Sequence, residues 1–156
     1  MEQLRLGNTG LHVSRICLGM MSYYSETPNR PWMLEEADAE PIVRAAVEGG
    51  ITFFDTADIY SDGGSEVFTG RLLPKLLSRD ELVLATKVHG QMTPGPTGRG
   101  LSRKHVLSAI DASLTRLGMD YVDLYQVRIG GRVELTFRKL FTADGIHNYF
   151  WKARLV

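Results

Sequence analysis

Four short apolar runs recur along this 156-residue chain at intervals of 31–39 residues, beginning near residues 13, 51, 82 and 121. The first is Ile16 to Met21, with Val13 just upstream. The second is Ile51-Thr52-Phe53-Phe54, closing at Asp55. The third, Leu82 to Val88, is almost continuously apolar before Lys87, and the fourth runs from Tyr121 to Val127. Continuous apolar character without polar alternation is the pattern of strands covered on both faces, as in parallel sheets. Helical segments separate the runs, and strands alternating with helices require a parallel sheet with right-handed crossovers.

Helix signals are specific. Ile42, Val43, Ala46 and Val47 share one face of a helix expected over 38–48. Asp38 stands as its cap, Pro41 falls in the first turn and Gly49-Gly50 supply the stop. Ser65-Glu66 opens a short helix through Phe68 and Leu72, ended near Pro74. Ser102 caps a strongly periodic helix that points Val106, Leu107, Ile110, Leu114 and Leu117 inward and stops at Gly118. Gln91 to Gly100, with two prolines and three glycines, reads as a long loop.

Two architectures accommodate this rhythm. A doubly wound sheet wants Gly-x-Gly-x-x-Gly after its first strand. Here Gly19 is followed by Met20-Met21-Ser22-Tyr23-Tyr24 instead. A barrel gains from Leu4 to Leu11, which reads as a hairpin with a Gly-Asn turn, able to plug a barrel floor. The expected fold is α/β, a partial (β/α)8 TIM barrel of about four βα units preceded by an N-terminal β-hairpin.

Hydrophobic and charged residues make up 44% and 23% of the chain, ordinary globular usage that argues against a disordered or fibrous polymer. Basic and acidic residues number 18 each, so no net charge draws the chain to nucleic acid or an anionic membrane. Residues 1–127 nevertheless carry 12 basic and 16 acidic side chains, while 128–156 carry six and two. Basic residues interleaved with aromatics, as in Phe137, Phe141, Tyr149, Phe150 and Trp151 of this tail, can mark single-strand binding. No recognised binding pattern sits there, so no nucleic-acid partner is expected. The tail reads as a separate unit, disordered or, through the alternation of Val133, Leu135 and Phe137, adding an edge strand. One cysteine, Cys17, expected in the core, cannot make an internal disulfide, which fits a reducing compartment. The first ten residues lack a signal-peptide pattern, and no run approaches the roughly 20 apolar residues of a membrane span. A cytoplasmic protein without a membrane partner is the expectation.

The chemically useful residues fall at strand ends. Asp55 closes the second strand, Lys87 ends the third, and Tyr60 lies in the loop after the second. In a barrel these ends share the face where active sites are built. Adjacent strands lie about 4.8 Å apart, within reach for a carboxylate and an ammonium. A tyrosine ordinarily titrates near 10; a neighbouring ammonium favours its phenolate, and an aspartate keeps that ammonium charged and aimed. The group of three then serves as a general acid toward an oxygen that becomes alkoxide-like, as in hydride addition to a carbonyl. His12, His89, His105 and His147 show no metal-ligand spacing, and no metal is expected.

Longer strings carry a family resemblance. Phe53-Phe54-Asp55-Thr56-Ala57-Asp58-Ile59-Tyr60, then Gly64-Ser65-Glu66 and Gly70, resembles the aldo-keto reductase signature. Ala85-Thr86-Lys87-Val88 is similar to the family's lysine strand, and Leu114 to Gln126 to the helix and strand that follow. The opening, Leu6 to Ser14 with Leu18-Gly19-Met20, is closest to the bacterial and potassium-channel β-subunit-like branch. The resemblance covers residues 4–127. It implies reduction of small aldehydes or ketones with NADP(H), with Asp55, Tyr60 and Lys87 as catalytic residues and Tyr60 as proton donor. It also implies that Gly19, Met20, Met21 and Asp55 approach the nicotinamide. Where the family continues with a substrate-orienting histidine, this chain has Arg128. Nothing in 128–156 resembles the family. About 250 residues is typical of a closed barrel, so the chain is expected to be truncated and weakly active or inactive alone. Open sheet edges offer the alternative of a non-catalytic half-barrel that forms homo-oligomers or binds a partner.

Overall fold

The computed structural model describes residues 1–25, 31–127, 133–143 and 146–155. β1 (Gln3–Arg5) and β2 (His12–Ser14) pair antiparallel, Leu4 opposite Val13, around a turn in which Gly7 takes φ +56°. Val13, expected beside the first buried strand, thus belongs to the hairpin. Ser14 Oγ accepts the N–H groups of Thr52 (3.1 Å) and Phe53 (3.2 Å) and donates to Ile16 O. One hydroxyl therefore fixes the hairpin against the start of the sheet.

In chain order there follow β3 (Cys17–Gly19), β4 (Tyr23–Tyr24), β5 (Leu34–Glu35), α1 (Glu36–Glu48) and β6 (Phe53–Asp55). Next come a 3-10 turn (Tyr60–Gly63), α2 (Gly64–Leu72), β7 (Val83–Lys87), α3 (Arg103–Leu117) and β8 (Leu124–Gln126). β3, β6, β7 and β8 form one parallel sheet in that order. Strand order follows chain order without a reversal, so right-handed crossovers carry every helix to the same face. A doubly wound sheet reverses order and covers both faces; this sheet is a segment of a (β/α)8 barrel, as expected.

The covered face holds the main core. Phe54 and Leu84 are fully buried against Val43 of α1 and Phe68 and Leu72 of α2. Each such large side chain contributes about 1.5–3 kcal/mol relative to exposure. Gly70 lets α2 pass close to α3: a Cβ there would lie 2.1 Å from Leu117 O.

Local details depart from the sequence pattern. α1 begins at Glu36, two residues early, with Glu35 at the cap position; its side chain makes no capping hydrogen bond and accepts instead from Ser25 Oγ. Asp38 lies inside the first turn, where its charge, with that of Glu36, favours the helix's positive end. Pro41 stands inside the helix, and Ile42 is 44% exposed while Ala39 and Val43 are buried. In α3 Ser102 does cap, accepting from His105 N, and Gly118 closes the helix at φ +63°. Its buried stripe, however, is His105, Ala109, Ser113 and Leu117; Val106, Leu107, Ile110 and Leu114 flank it half-buried. Ala109 and Ser113, in the middle of that stripe, are small, and larger side chains there would hold the helix away.

Cys17 is exposed rather than in the core. Leu18 packs into the helix-covered core, so strand alternation turns Cys17 and Gly19 to the opposite, open face. β9 (Val133–Ala143) and β10 (Ile146–Leu155) pair antiparallel in a sheet of their own. Among the described residues, no helix is long and apolar enough to cross a membrane.

Candidate active site

The register of the sheet assembles the site. Gly19 pairs with Asp55, Asp55 with Ala85, Ala85 with Leu124 and Lys87 with Gln126, which brings four C-terminal strand ends to one rim. Lys87 Nζ donates to Asp55 Oδ2 (2.5 Å), Thr56 O (2.9 Å) and Tyr60 Oη (3.2 Å). An ammonium has three hydrogens, and these acceptors use all of them. The Nζ also lies 4.8 Å from the Tyr60 ring centroid. The three residues singled out by the sequence are thus one connected group, each about a quarter exposed at the lysine and aspartate side chains. Because Lys87 donates the hydrogen bond and the Tyr60 oxygen accepts it, the phenol keeps its own hydrogen free. Among the described residues no other hydrogen-bond partner of Tyr60 Oη is present.

Tyr60 is carried by a tight turn. Ser61, Asp62 and Gly63 take φ values of 51°, 52° and 93°, three successive left-handed residues. Neighbours lie close against it: a Cβ on Gly63 would lie 2.6 Å from Arg116 Cδ, and one on Gly64 would enter the Tyr24 ring. Arg116 is fixed in turn by the fully buried Glu66, which accepts from its Nε (2.7 Å) and from Thr86 Oγ1 (2.5 Å). Asp58, 1% exposed, has its Oδ2 unpartnered; burial first, then the charge of Glu66, push its carboxyl above the ordinary range. Burial, with the charges of Asp58 and Glu66, likewise raises Tyr125, whose hydroxyl donates to Val106 O.

Tyr60, Lys87 and Gln126 open on a cleft of about 850 Å³. Ile59, Val88, Leu101, Leu124 and Val127 make most of its walls apolar, with His89 among the polar exceptions. A volume of this order accepts a small organic molecule.

Gly19, Met20 and Met21 stand on the other side of Asp55, with Gly19 in register with it. Gly19 is exposed, and nothing lies within 4 Å of an added Cβ; Met21 is 41% exposed. Met20 is fully buried, its N–H donating to Asp55 O (2.8 Å) and its carbonyl accepting from Ser65 Oγ (2.8 Å). Cys17 faces the same side: enclosure by its neighbours and then the Asp55 carboxylate push its thiol up to about 11, against a smaller lowering by Lys87.

Sequence reasoning missed one member. Gln126 Nε2 donates to Asp55 Oδ1 at 2.7 Å. The available signal was a polar residue near the end of the fourth apolar run, the same position that singled out Asp55 and Lys87.

The model of the aldo/keto reductase family matches residues 15–129. The chain is 39% identical over 145 residues to versiconal hemiacetal acetate reductase of Aspergillus parasiticus, covering 81% of this chain and 42% of that protein. It is 35% identical over 125 residues to a probable voltage-gated potassium channel subunit beta of Arabidopsis thaliana, covering 80% and 36%. Among solved structures, aldo-keto reductase AKR11C1 from Bacillus halodurans in its holo form superposes with a TM-score of 0.66 at 35% identity, covering 80% of this chain and 39% of that one. The chain spans about two fifths of the length of these relatives. A singly wound parallel sheet, an Asp-Tyr-Lys group at its rim and a family model spanning both lead to one assignment: the chain belongs to the aldo/keto reductase family.

Proposed function

We propose that this chain carries the proton-donating half of an NADP(H)-dependent reductase of small aldehydes or ketones. The observation that supports it most is the full commitment of Lys87. With its three hydrogens on Asp55, Thr56 and Tyr60, the ammonium stands ready to stabilise the phenolate left when Tyr60 gives its proton to a carbonyl oxygen in the cleft. Asp55 holds the ammonium in place and aimed. The apolar walls favour an uncharged carbonyl compound and limit water.

The residues beside Asp55 fit the nicotinamide end of the cofactor. Gly19 offers backbone without a side chain in open space, and Met20 anchors that backbone through two buried hydrogen bonds. Gly19, Met20, Met21 and Asp55 would hold the ring there. The cofactor, when bound, supplies the hydride; this chain's own residues line the cleft and move the proton at Tyr60 Oη.

Replacing Tyr60 with Phe tests the assignment. Reduction is expected to fall by at least about a hundredfold, while NADPH affinity, read by fluorescence titration, stays unchanged. Surviving turnover would remove Tyr60 from its role.

A second reading rests on the open sides of the sheet. β3 and β8 are its outer strands, and unpaired strand edges are templates for association. In that reading the chain is an interaction module that pairs through these edges, with itself or a partner. Light scattering combined with NADPH titration separates the two: saturable cofactor binding supports the reductase, and a stable oligomer blind to the cofactor supports the module.

A further inference from the structure

We infer that Gln126 is a positioning residue for the Lys87–Asp55–Tyr60 group: its amide reaches across β7 to hold one oxygen of Asp55, leaving the other for Lys87. The inference rests on the reading of those three residues as one working unit.

Gln126 and Asp55 are not on neighbouring strands. β7 lies between β8 and β6, so the contact spans two strand spacings, about 10 Å of sheet. Such a bridge needs a long side chain on one strand and a small one on the strand beneath it. Ala85 provides the second condition: it lies opposite Asp55 on one side and Leu124 on the other, one step below Lys87 and Gln126. A larger residue at 85 would fill the space over which the amide passes.

The chemistry of the contact fixes its direction. A carboxylate has no hydrogen to give, so the amide turns its NH2 to Asp55 Oδ1, at 2.7 Å. Asp55 is then held from two sides, by Gln126 on Oδ1 and Lys87 on Oδ2. A carboxylate anchored at one oxygen cannot turn to present both to the ammonium. Lys87 consequently keeps a hydrogen for Tyr60 Oη. Remove the Gln126 donor, and Asp55 is free to rotate and redistribute the lysine's hydrogens.

The test uses the full chain with lysine labelled with carbon-13 at Cε, read by NMR. The sequence has five lysines, and Lys87→Arg assigns the one of interest. Asp55→Asn should move the Lys87 resonance. Gln126→Met, similar in length but without a donor, should move it in the opposite direction, because the released carboxylate presents both oxygens to the ammonium. Ala85→Leu should do so with Gln126 still present. If Asp55→Asn moves the resonance and neither other variant does, the role of Gln126 is refuted while the reading of the site stands. If Asp55→Asn leaves Lys87 unmoved, the reading of the site itself falls. A measurement on unaltered Gln126 covers failure of a variant to fold. Its side-chain amide should show one proton displaced downfield, returning to the ordinary glutamine position in Asp55→Asn; an amide already at that position in the native chain overturns the inference.

Discussion

Cys17 combines exposure with a thiol pushed up to about 11 from an ordinary 9.0. Raising a thiol's pKa shrinks the thiolate fraction below it, here by about a hundredfold at pH 8. Alkylation by iodoacetamide at pH 8 should be slower than that of a free cysteine by about this factor, with the rate climbing until pH approaches 11. Asp55→Asn should accelerate it, because the carboxylate is the second cause of the shift. A rate equal to that of free cysteine would mean that the thiol is neither enclosed by its neighbours nor held beside Asp55. A second residue-scale feature is strain. Ser61 and Asp62 hold left-handed backbone, which costs a non-glycine residue about 1–2 kcal/mol. Ser61→Gly relieves that cost and adds about 0.5–1 kcal/mol of unfolded-chain entropy. The net gain should be about 0.5–1 kcal/mol, read as a higher urea midpoint at unchanged m-value. A loss of stability would mean that the Ser61 hydroxyl, which lies 3.7 Å from Met33 Sδ, does more than the backbone geometry implies.

Among the elements, packing distance decides what apolar periodicity leaves open. The crossing of α2 and α3 depends on Gly70, where an added Cβ meets the Leu117 carbonyl oxygen, carbon and Cα at 2.1–2.7 Å. These are backbone atoms and cannot swing aside. Gly70→Ala should therefore force the helices apart and cost about 1–3 kcal/mol, measured by urea unfolding. Gly10→Ala is the control: nothing lies within 4 Å of its Cβ and its φ is ordinary, so it should be tolerated. The same closeness explains what the sequence hid in α3. Hydrophobicity singles out Leu107, Ile110 and Leu114, yet the tight line against the molecule belongs to Ala109 and Ser113. Strands were legible from their apolar runs, although only β7 is buried along nearly its whole length and β3, β6 and β8 each retain only three paired residues. Asp55 and Lys87 were legible because the ends of adjacent parallel strands must share a rim. Gln126 was not, because its reach depends on the small size of Ala85 on a strand between them.

For the whole molecule, the consequence of singly wound topology is a rim of strand ends built on one side only. The hydrogen-bonded group of Asp55, Tyr60, Lys87 and Gln126 lies within residues 55–126. Holding a carbonyl and a nicotinamide in reacting geometry is a different requirement. The cleft walls and the Gly19–Met21 backbone flank Asp55 and Lys87, while the open face of the sheet still exposes Cys17. Misplacement of reacting groups by about 1 Å can cost a hundredfold in rate. The chain alone should therefore reduce an aldehyde such as 4-nitrobenzaldehyde with NADPH at least about a hundredfold less efficiently than a full-length relative such as the Bacillus halodurans reductase. Loss of NADPH absorbance measures both, and Tyr60→Phe should remove whatever rate this chain retains. Turnover by the purified monomer equal to that of the full-length enzyme would show that one side of the barrel suffices to position both reactants. The weak-turnover proposal would then be wrong, even with Tyr60 confirmed as the acid.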